Sequence, residues 1–432
     1  MARNIQRRDV LKGAGAAGIA GLAGCIGGGG GGSGGGKPDV MVVIGYPEDG
    51  IQLFRDYYSA DPGEQKILVP DGLRDDKLPE QVGSDMKALT GTAPAAGGPN
   101  KETFNQLFKD EYGEAPGVFN SQCYDSVAIL ILANAAAGKN DGTAIRDQMR
   151  RIANPGGMEV GPQNFVEGVE AAAKGEDINY QGASSATNFN DKGDPASAAY
   201  SIWNIKNQDT NDVDVQQFEG DNPDGSGPHA DSASGGMGRT IKVGVLLPET
   251  GALASVGQLM IKAAKIPAKQ VNDSDLDLEV DQQVEDTQTN PSAGVNAANS
   301  LVNAGYPAVC GSASSGVNVP VSKQVFIPNK VVGCSPSSTA LSVTNLEDDD
   351  YIFRTAPSDL LQGAVMAQVA SKRLEGKTAA TLYVNNDYGQ QLSNQFAKVF
   401  KDKHGGEVWN QVAYNQGESS YTSVIEEAQS KP

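Results

Sequence analysis

The stretch IKVGVLL at residues 241–247 indicates the fold more directly than any other part of the chain. It is a short, almost uninterrupted apolar run, which is typical of a strand buried inside a parallel sheet. A helical pattern follows at 257–272, and a second strand pattern follows at 276–284. The alternation continues to the C-terminus, with strands expected at 308–310, 330–334, 351–354, 379–384 and 408–412 and helices at 292–304, 358–375, 389–402 and 420–430. Strands that alternate with helices predict parallel sheets with helices on both faces.

The N-terminal half of the chain shows the same alternation. Its expected strands are 39–44, 67–69 and 198–205, and its expected helices are 48–58, 102–112, 120–137 and 143–153. Both halves therefore predict an α/β fold. The 432 residues are enough for two to three domains with a substantial core.

The charge and the rarest residue types argue against several functional classes. The chain has 53 Asp and Glu against 34 Lys and Arg, a net charge of −19, whereas nucleic-acid binding needs a basic face. Two His and four Cys leave little material for a zinc site, and we expect no cofactor. The acids are spread along the chain, which favours the solvated surface of a salt-adapted protein over that of an ordinary acidic protein.

The first 25 residues have the pattern of a targeting signal. Arg7 and Arg8 precede an apolar run at 10–22, which is shorter than the roughly 20 residues needed to span a bilayer. The arginine pair resembles a twin-arginine export signal. The sequence LAGC at 22–25 resembles a lipobox, in which cleavage precedes a lipid-modified cysteine. We therefore expect an exported protein, anchored to the outer face of the cytoplasmic membrane by a lipid on Cys25.

Two segments break the α/β pattern. Residues 26–36 are almost entirely glycine and predict a flexible spacer. Residues 208–238 contain seven acids and no Lys or Arg, together with many Gly and Ser, and predict a disordered linker. The folded parts are then 37–207 and 239–432.

The two ends of the folded sequence complement each other. The chain stops after the helix predicted at 420–430, and its first folded strand, at 39–44, has no helix before it. Joined as AQSKPDVMVVIGYP, the ends make one ordinary helix–loop–strand unit. We therefore favour the hypothesis that the chain is circularly permuted, over a fusion of two unrelated half-domains or an artefact of the sequence.

In the order 240–432 followed by 37–207, the sequence resembles the substrate-binding proteins of ABC importers, of the leucine/isoleucine/valine-binding type. The stretches that carry the resemblance are KVGVLLPETGALASVGQ, VCGSASSGVNVPVS, GCSPSSTALS, YIFRTAPSD, YVNNDYGQQL, VVIGYPEDG and ILVPDGL. The resemblance implies a two-lobed, type I periplasmic-binding-protein fold in permuted order. Residues 239–432 would form the first lobe and the start of the second, and 37–207 would supply the remaining parts of both. The implied partners are an amino acid and the membrane subunits of an ABC permease.

The resemblance and the physics of parallel sheets indicate the same candidate site. Ligands of such sheets lie beyond the carboxyl ends of the strands, and polar or aromatic residues follow several of these ends. The resemblance assigns six of them to the ligand: Ser315, Ser338, Thr339, Tyr388, Tyr46 and Asp71. Ser315 and Thr339 would hold the carboxylate of an amino acid, with Ser338 contributing its backbone. Asp71 would pair with the ammonium group beside Tyr46, and Tyr388 would line the cleft.

The identity of the ligand stays open in the sequence. Val256 stands where branched-chain binders often have an aromatic residue, and Asp71 replaces the longer Glu. Apolar amino acids are the default, and short amides or urea bind relatives of this fold. The sequence is also compatible with a sensory binding protein and with a rearranged, non-functional copy.

Catalysis is not expected from this sequence. It has no G-x-S-x-G elbow, and both His lie in polar stretches, so a Ser-His hydrolase has no obvious base. Cys310 and Cys334 end two strands and are compatible with either a disulfide or two packed thiols, and Cys123 on an apolar helix is expected in the core.

Overall fold

The structure, a computed structural model, describes residues 3–6, 36–60, 65–83, 86, 89–206, 209–220 and 222–432. The strands within these ranges are β1 Arg3–Gln6, β2 Val40–Ile44, β3 Lys66–Val69, β4 Leu89–Pro94, β5 Met158–Val160, β6 Ile178–Tyr180, β7 Ser197–Lys206, β8 Asp209–Glu219, β9 Arg239–Leu247, β10 Leu278–Asp286, β11 Ala308–Gly311, β12 Val332–Ser335, β13 Ile352–Arg354, β14 Thr378–Val384 and β15 Glu407–Tyr414. The signal, Cys25 and nearly all of the glycine spacer lie outside the described residues apart from β1.

The helices alternate with the strands. They are α1 Pro47–Ala60, α2 Leu78–Val82, α3 Lys101–Tyr112, α4 Asn120–Ala137, α5 Gly142–Ala153, α6 Phe165–Ala173, α7 Ala254–Asn272, α8 Pro291–Asn303, α9 Ser315–Val321, α10 Leu341–Thr344, α11 Asp359–Gln368, α12 Asp387–His404 and α13 Thr422–Gln429. The predicted α/β class is confirmed. The pattern at 358–375 becomes α11 and a wider helical turn over Val369–Arg373.

One sheet comes wholly from the C-terminal half of the chain. Its five strands are parallel, in the order β10-β9-β11-β12-β13. Helix α4, from the other half, packs against β9, β11 and β12. All 18 residues of α4 are buried, and most of them are apolar. We call this sheet and its helices, residues 101–180 and 239–354, lobe 1.

The second sheet combines strands of both halves. Its order is β1-β8-β7-β4-β3-β2-β14-β15, with β7 antiparallel to both β4 and β8. Strand β2 pairs in parallel with β14, and Val43 lies opposite Leu382. We call this sheet and its helices lobe 2, which comprises residues 3–6 and the described residues within 36–94, 197–219 and 359–432. Neither half of the chain forms either lobe alone.

Connections at 95–100, 181–196 and 355–358 cross between the lobes. They bring the carboxyl ends of the parallel strands of both lobes toward one cleft. The segment 220–238 also passes from lobe 2 to lobe 1 within the described part of the chain. The functional candidates lie where these lobes face each other.

The expectation of a disordered linker at 208–238 is wrong for most of that segment. Residues 209–219 form β8, which pairs along its length with β7. The unpaired edge of β7 offers backbone partners that composition does not reveal, and Phe218 packs against Tyr200 with ring centroids 5.8 Å apart. The following residues are held by backbone hydrogen bonds. Ala230 N and Gly235 N donate to Asp147 O and Ala136 O of lobe 1, and Ser226 N donates to Phe189 O in the segment 181–196.

The two ends of the folded chain lie together. Helix α13 packs against β15, β14 and α1. The side chain of Gln65 connects the ends, because it accepts a hydrogen bond from Gln429 (2.9 Å) and donates one to the carbonyl of Pro38 (2.7 Å). This proximity is what a permuted order requires.

Candidate functional site

A cleft between the lobes collects residues from loops at the carboxyl ends of the parallel strands. It encloses about 400 Å³, part of it open to solvent. The lining residues are Tyr46, Asp71, Gly72, Phe119, Pro248, Leu253, Val256, Gly257, Met260, Ala313, Ser314, Ser315, Ser337 and Tyr388. Among these described residues Asp71 is the one carboxylate, and none is a lysine, an arginine or a histidine.

Lobe 1 contributes the hydroxyl side of the cleft. Ser314, Ser315 and Ser337 follow β11 and β12 and line it. The Ser315 hydroxyl accepts a hydrogen bond from Ala340 N at 3.2 Å, which fixes its position. The Ser315 hydroxyl keeps its own proton to donate to an anion, whereas the Ser337 hydroxyl donates to the carbonyl of Ala313 at 3.2 Å.

Two of the predicted hydroxyl residues lie behind the lining. Ser338 is fully buried, and its hydroxyl donates to the carbonyls of Ser312 (2.8 Å) and Ala313 (2.9 Å). Thr339 is also buried, and its Oγ1 has no hydrogen-bond partner among the described residues. Ser338 therefore holds the loop in shape, while the Thr339 hydroxyl lies near the Asp359 carboxyl and lowers its pKa.

Lobe 2 contributes the acidic side. Asp71 begins the turn Asp71–Leu73 after β3 and is 3% exposed. Its Oδ1 accepts a hydrogen bond from Gln362 Nε2 at 2.5 Å and a longer one from the Tyr388 hydroxyl at 3.3 Å. Burial raises the pKa of Asp71 from 3.8 to about 6, against the lowering effect of these donors. Its ionised form is therefore costly unless a positive charge lies beside it.

Tyr46 and Tyr388 close one side of the cleft. Their rings stack with centroids 5.7 Å apart and an angle of 12° between the planes. The Tyr46 hydroxyl lies 2.9 Å from Ser314 Oγ in lobe 1 and accepts a hydrogen bond from Asn386 at 3.0 Å. Tyr46 therefore connects the two lobes directly, and burial raises its pKa, so it stays neutral.

The remaining wall is apolar. It consists of Phe119, Pro248, Leu253, Val256 and Met260. Val256 lies in this wall, and Phe119, at the start of α4, belongs to it as well. The sequence interpretation missed Phe119, because the hydrophobic pattern of 120–137 indicates only a buried helix. Such a wall suits an uncharged, hydrophobic ligand group.

Sequence reasoning also missed a second acid. Asp359, the first residue of α11, has an exposed fraction of 0%, and neither carboxylate oxygen has a hydrogen-bond partner among the described residues. Burial, and then the nearby Asp71, raise the pKa of Asp359 well above its usual range, against smaller lowering effects of the Thr339 hydroxyl and of Arg354. The only sequence signal was its place in the stretch YIFRTAPSD.

The described cysteines are free thiols in the core. Cys310 and Cys334 are opposite residues of neighbouring strands and form no disulfide. Cys123 is buried as expected, with its sulfur 3.7 Å from that of Cys310. Among the residues that the structure describes, no group of three or more His, Cys, Asp or Glu could hold a metal ion, and no helix is long and apolar enough to cross a membrane.

Comparisons with known proteins identify relatives of one half of the chain. A family model described as a periplasmic binding protein matches residues 240–432. The Leu/Ile/Val-binding protein homolog 3 of Brucella melitensis is 30% identical over 189 residues, 43% of this chain and 50% of that protein. A leucine-, isoleucine-, valine-, threonine- and alanine-binding protein of Pseudomonas aeruginosa is 27% identical over 188 residues, with the same shares of 43% and 50%. The chain thus spans about half the length of the curated relatives it matches.

Solved structures give a similar coverage. A leucine-binding protein of Thermotoga maritima is 27% identical, with 44% of this chain and 53% of that chain covered and a TM-score of 0.39. A branched-chain amino acid binding protein of Streptococcus pneumoniae, in complex with isoleucine, is 24% identical, with shares of 45% and 55% and a TM-score of 0.38.

Proposed function

Residues 240–432 match the periplasmic binding protein family, and from this premise we propose that the whole chain is an extracytoplasmic solute-binding protein for an apolar, branched-chain type of amino acid. It would capture the ligand between its lobes and deliver it to an ABC permease. The curated relatives are named as binding proteins rather than enzymes. The proposed role is accordingly reversible binding of the ligand without a catalysed reaction.

The observation that carries this proposal is that acidic, hydroxyl and apolar groups occupy separate sides of the cleft. Asp71 lies on one side, serine hydroxyls lie on the other, and an apolar wall connects them. An amino acid needs an acceptor for its ammonium, donors for its carboxylate and an apolar surface for its side chain. Charge-assisted hydrogen bonds contribute roughly 1.5–3 kcal/mol each, enough to orient a small zwitterion.

The proposed roles follow these contacts. Asp71 pairs with the ammonium, with Tyr46 and Tyr388 beside it. Ser315 binds the carboxylate, and Ser338 and Thr339, which lie behind the lining, hold the adjoining loop in place. Phe119 and Val256 would contact the ligand side chain.

Domain closure is the proposed mechanism. The crossovers at 95–100, 181–196 and 355–358 act as hinges, and the contact between Tyr46 and Ser314 forms as the lobes meet. The ligand must bind the closed form better than the open one, and the cleft satisfies this because its polar groups come from both lobes.

We further propose that the chain is a circular permutation of one two-lobed protein. The shared sheet, in which β2 pairs with β14, and the contact of Gln429 with Gln65 support this order. Both are contacts between elements that the present sequence places more than 300 residues apart.

Export and anchoring are part of the same proposal. The twin arginines and the lipobox-like stretch ending at Cys25 support an exported lipoprotein tethered by a flexible spacer. The net charge of −19 supports a salt-adapted surface. Mass spectrometry of the membrane fraction would identify a lipid on Cys25.

Calorimetric titration of residues 37–432 with a panel of amino acids and short amides tests the function. We expect saturable binding of leucine, isoleucine or valine, and we expect Asp71→Ala to abolish it because the ammonium loses its acceptor. Asp402→Ala, which removes an exposed carboxylate of α12, is the matched control and should bind as the parent does. Equal affinity in the Asp71 variant would remove Asp71 from the site.

A short amide is the second candidate ligand. The observation that favours it is the raised pKa of Asp71, since a protonated carboxyl can donate to an amide carbonyl. Binding of amides that strengthens as the pH falls below about 6 would select this candidate over an amino acid.

A further inference from the structure

We propose that Asp359 is the second acid of the ammonium site: in the free cleft Asp71 and Asp359 together hold one proton at neutral pH, and the ammonium of the ligand displaces it. This proposal rests on the proposed function. It makes Asp359 a positioning residue, which acts on the ligand through the charge of Asp71.

The surroundings of Asp359 carry the argument. Its side chain has no exposed surface, and both carboxylate oxygens lack a hydrogen-bond partner among the described residues. An ionised carboxylate in such a place would be costly, so it needs either a proton or a cation. The Thr339 hydroxyl offsets this cost only in part, because burial and Asp71 have larger effects on the Asp359 carboxyl. The side-chain oxygen of Gln362 is also buried without a partner among the described residues.

Helix α11 connects Asp359 to the cleft. Gln362 lies one turn further along α11, on the same helix face as Asp359, and donates to Asp71 Oδ1 at 2.5 Å. The backbone N–H of Asp359 donates to the carbonyl of Thr339 at 2.8 Å. Asp359 is therefore fixed between the acidic and the hydroxyl sides of the site.

Arg354, the cation that could pair with Asp359, is occupied by other partners. The cationic side chain in this region, Arg354, is buried, and it is engaged by both oxygens of Asp194 and by the carbonyls of Ser338 and Ala340. It forms no ion pair with Asp359 among the described residues. The other titratable groups that face the pair from the packed elements are tyrosines with raised pKa values, and these stay neutral: Tyr46, Tyr200 and Tyr388.

The proton balance follows from these contacts. Two carboxyl groups in one buried site repel each other when both are ionised, so the second proton is retained. A ligand ammonium brings one positive charge and allows both carboxyls to ionise. The proton of Asp359 then passes to water, and no bond other than this O–H breaks.

The experiment combines the pH dependence of affinity with the protons released. For the parent protein above pH 6.5, we expect affinity for the best-binding amino acid to rise by up to about tenfold per pH unit, since binding releases a proton. Titrations in two buffers of different ionisation enthalpy measure that release directly. Asp359→Asn, which mimics the neutral acid, should abolish both the rise of affinity with pH and the proton release above pH 6.5. Below pH 6.5 the affinity of this variant should still change with pH, because Asp71 still titrates there.

A ligand-free measurement separates this inference from the function. We expect infrared spectra of the unliganded parent at pH 7 to contain the carbonyl band of a buried, protonated carboxyl, and Asp359→Asn to remove that band. If the band is absent, or if the variant keeps the parent slope and proton release, the inference is wrong. If the band is present but no amino acid binds, the proposed function fails and the displacement step fails with it.

Discussion

Asp71 combines two demands that conflict. In the proposed function it faces a ligand in the cleft and must ionise, whereas its burial makes the ionised form costly. Gln362 and Tyr388 offset part of that cost by donating to it, yet its pKa remains raised to about 6. The folded protein therefore binds this proton more tightly than the unfolded chain does. The carboxyl stabilises the fold most when protonated, and its contribution decreases as the pH rises from about 4 to about 6.

Asp71→Asn should consequently stabilise the ligand-free protein at pH 7 while it removes binding. We expect the free energy of unfolding to rise by about 1–3 kcal/mol, because the amide keeps the shape of the side chain without the buried charge. Denaturant unfolding at pH 7 and at pH 4 measures the effect, which should shrink at pH 4, where the parent carboxyl is protonated. A variant less stable than the parent at pH 7 would contradict this account.

Helix α4 is the element that connects the core of lobe 1 to a hinge. Its residue Asp125 is completely buried and accepts hydrogen bonds from the Tyr180 hydroxyl, from Ala183 N and from both the N–H and the hydroxyl of Ser184. Ala183 and Ser184 belong to the crossover at 181–196. A helix of one lobe thereby fixes the start of the chain segment that leads to the other.

Asp125→Ala should destabilise the protein by about 3–5 kcal/mol, because it leaves several buried donors without their acceptor. Thermal or denaturant unfolding measures this, and ligand titration of the folded fraction should show weaker binding as the crossover loosens. The control is Asp141→Ala, which removes the cap that accepts from Ala144 N on the more exposed helix α5 and should cost about 1 kcal/mol. If both variants lost the same free energy of unfolding, the hydrogen bonds of Asp125 would not be especially stabilising.

The whole molecule depends on contacts between distant parts of the chain. Each lobe needs both halves of the chain. Helix α4 covers the sheet of residues 239–354, and β14 and β15 continue the other sheet beyond β2. Neither half could bury its core alone. This arrangement explains why a match limited to 240–432 still leads to a proposal for the complete chain.

A protein with the rejoined order, residues 239–432 followed directly by 37–220 so that β8 is kept, should fold and bind the same ligand. The joined ends already lie beside each other at Gln65, so we expect an affinity within about threefold of the parent and a cooperative melting transition. Calorimetry and thermal unfolding of both orders make the comparison. A rejoined protein that melts without cooperativity would refute the permutation. If only the protein with the present order lacked a cooperative melting transition, the present order would be a non-functional rearrangement.

The sequence by itself predicted the α/β class, nearly all elements of the C-terminal half and the polar residues that follow the strand ends. These features follow from local apolar periodicity. The sequence predicted disorder at 208–238 and missed Phe119 and Asp359. Their surroundings depend on residues distant along the chain, such as β7 beside β8 and Asp71 near Asp359. Only the tertiary structure decided which buried oxygens are paired and which are not, since hydrogen bonding and desolvation are properties of the assembled neighbourhood rather than of any local pattern.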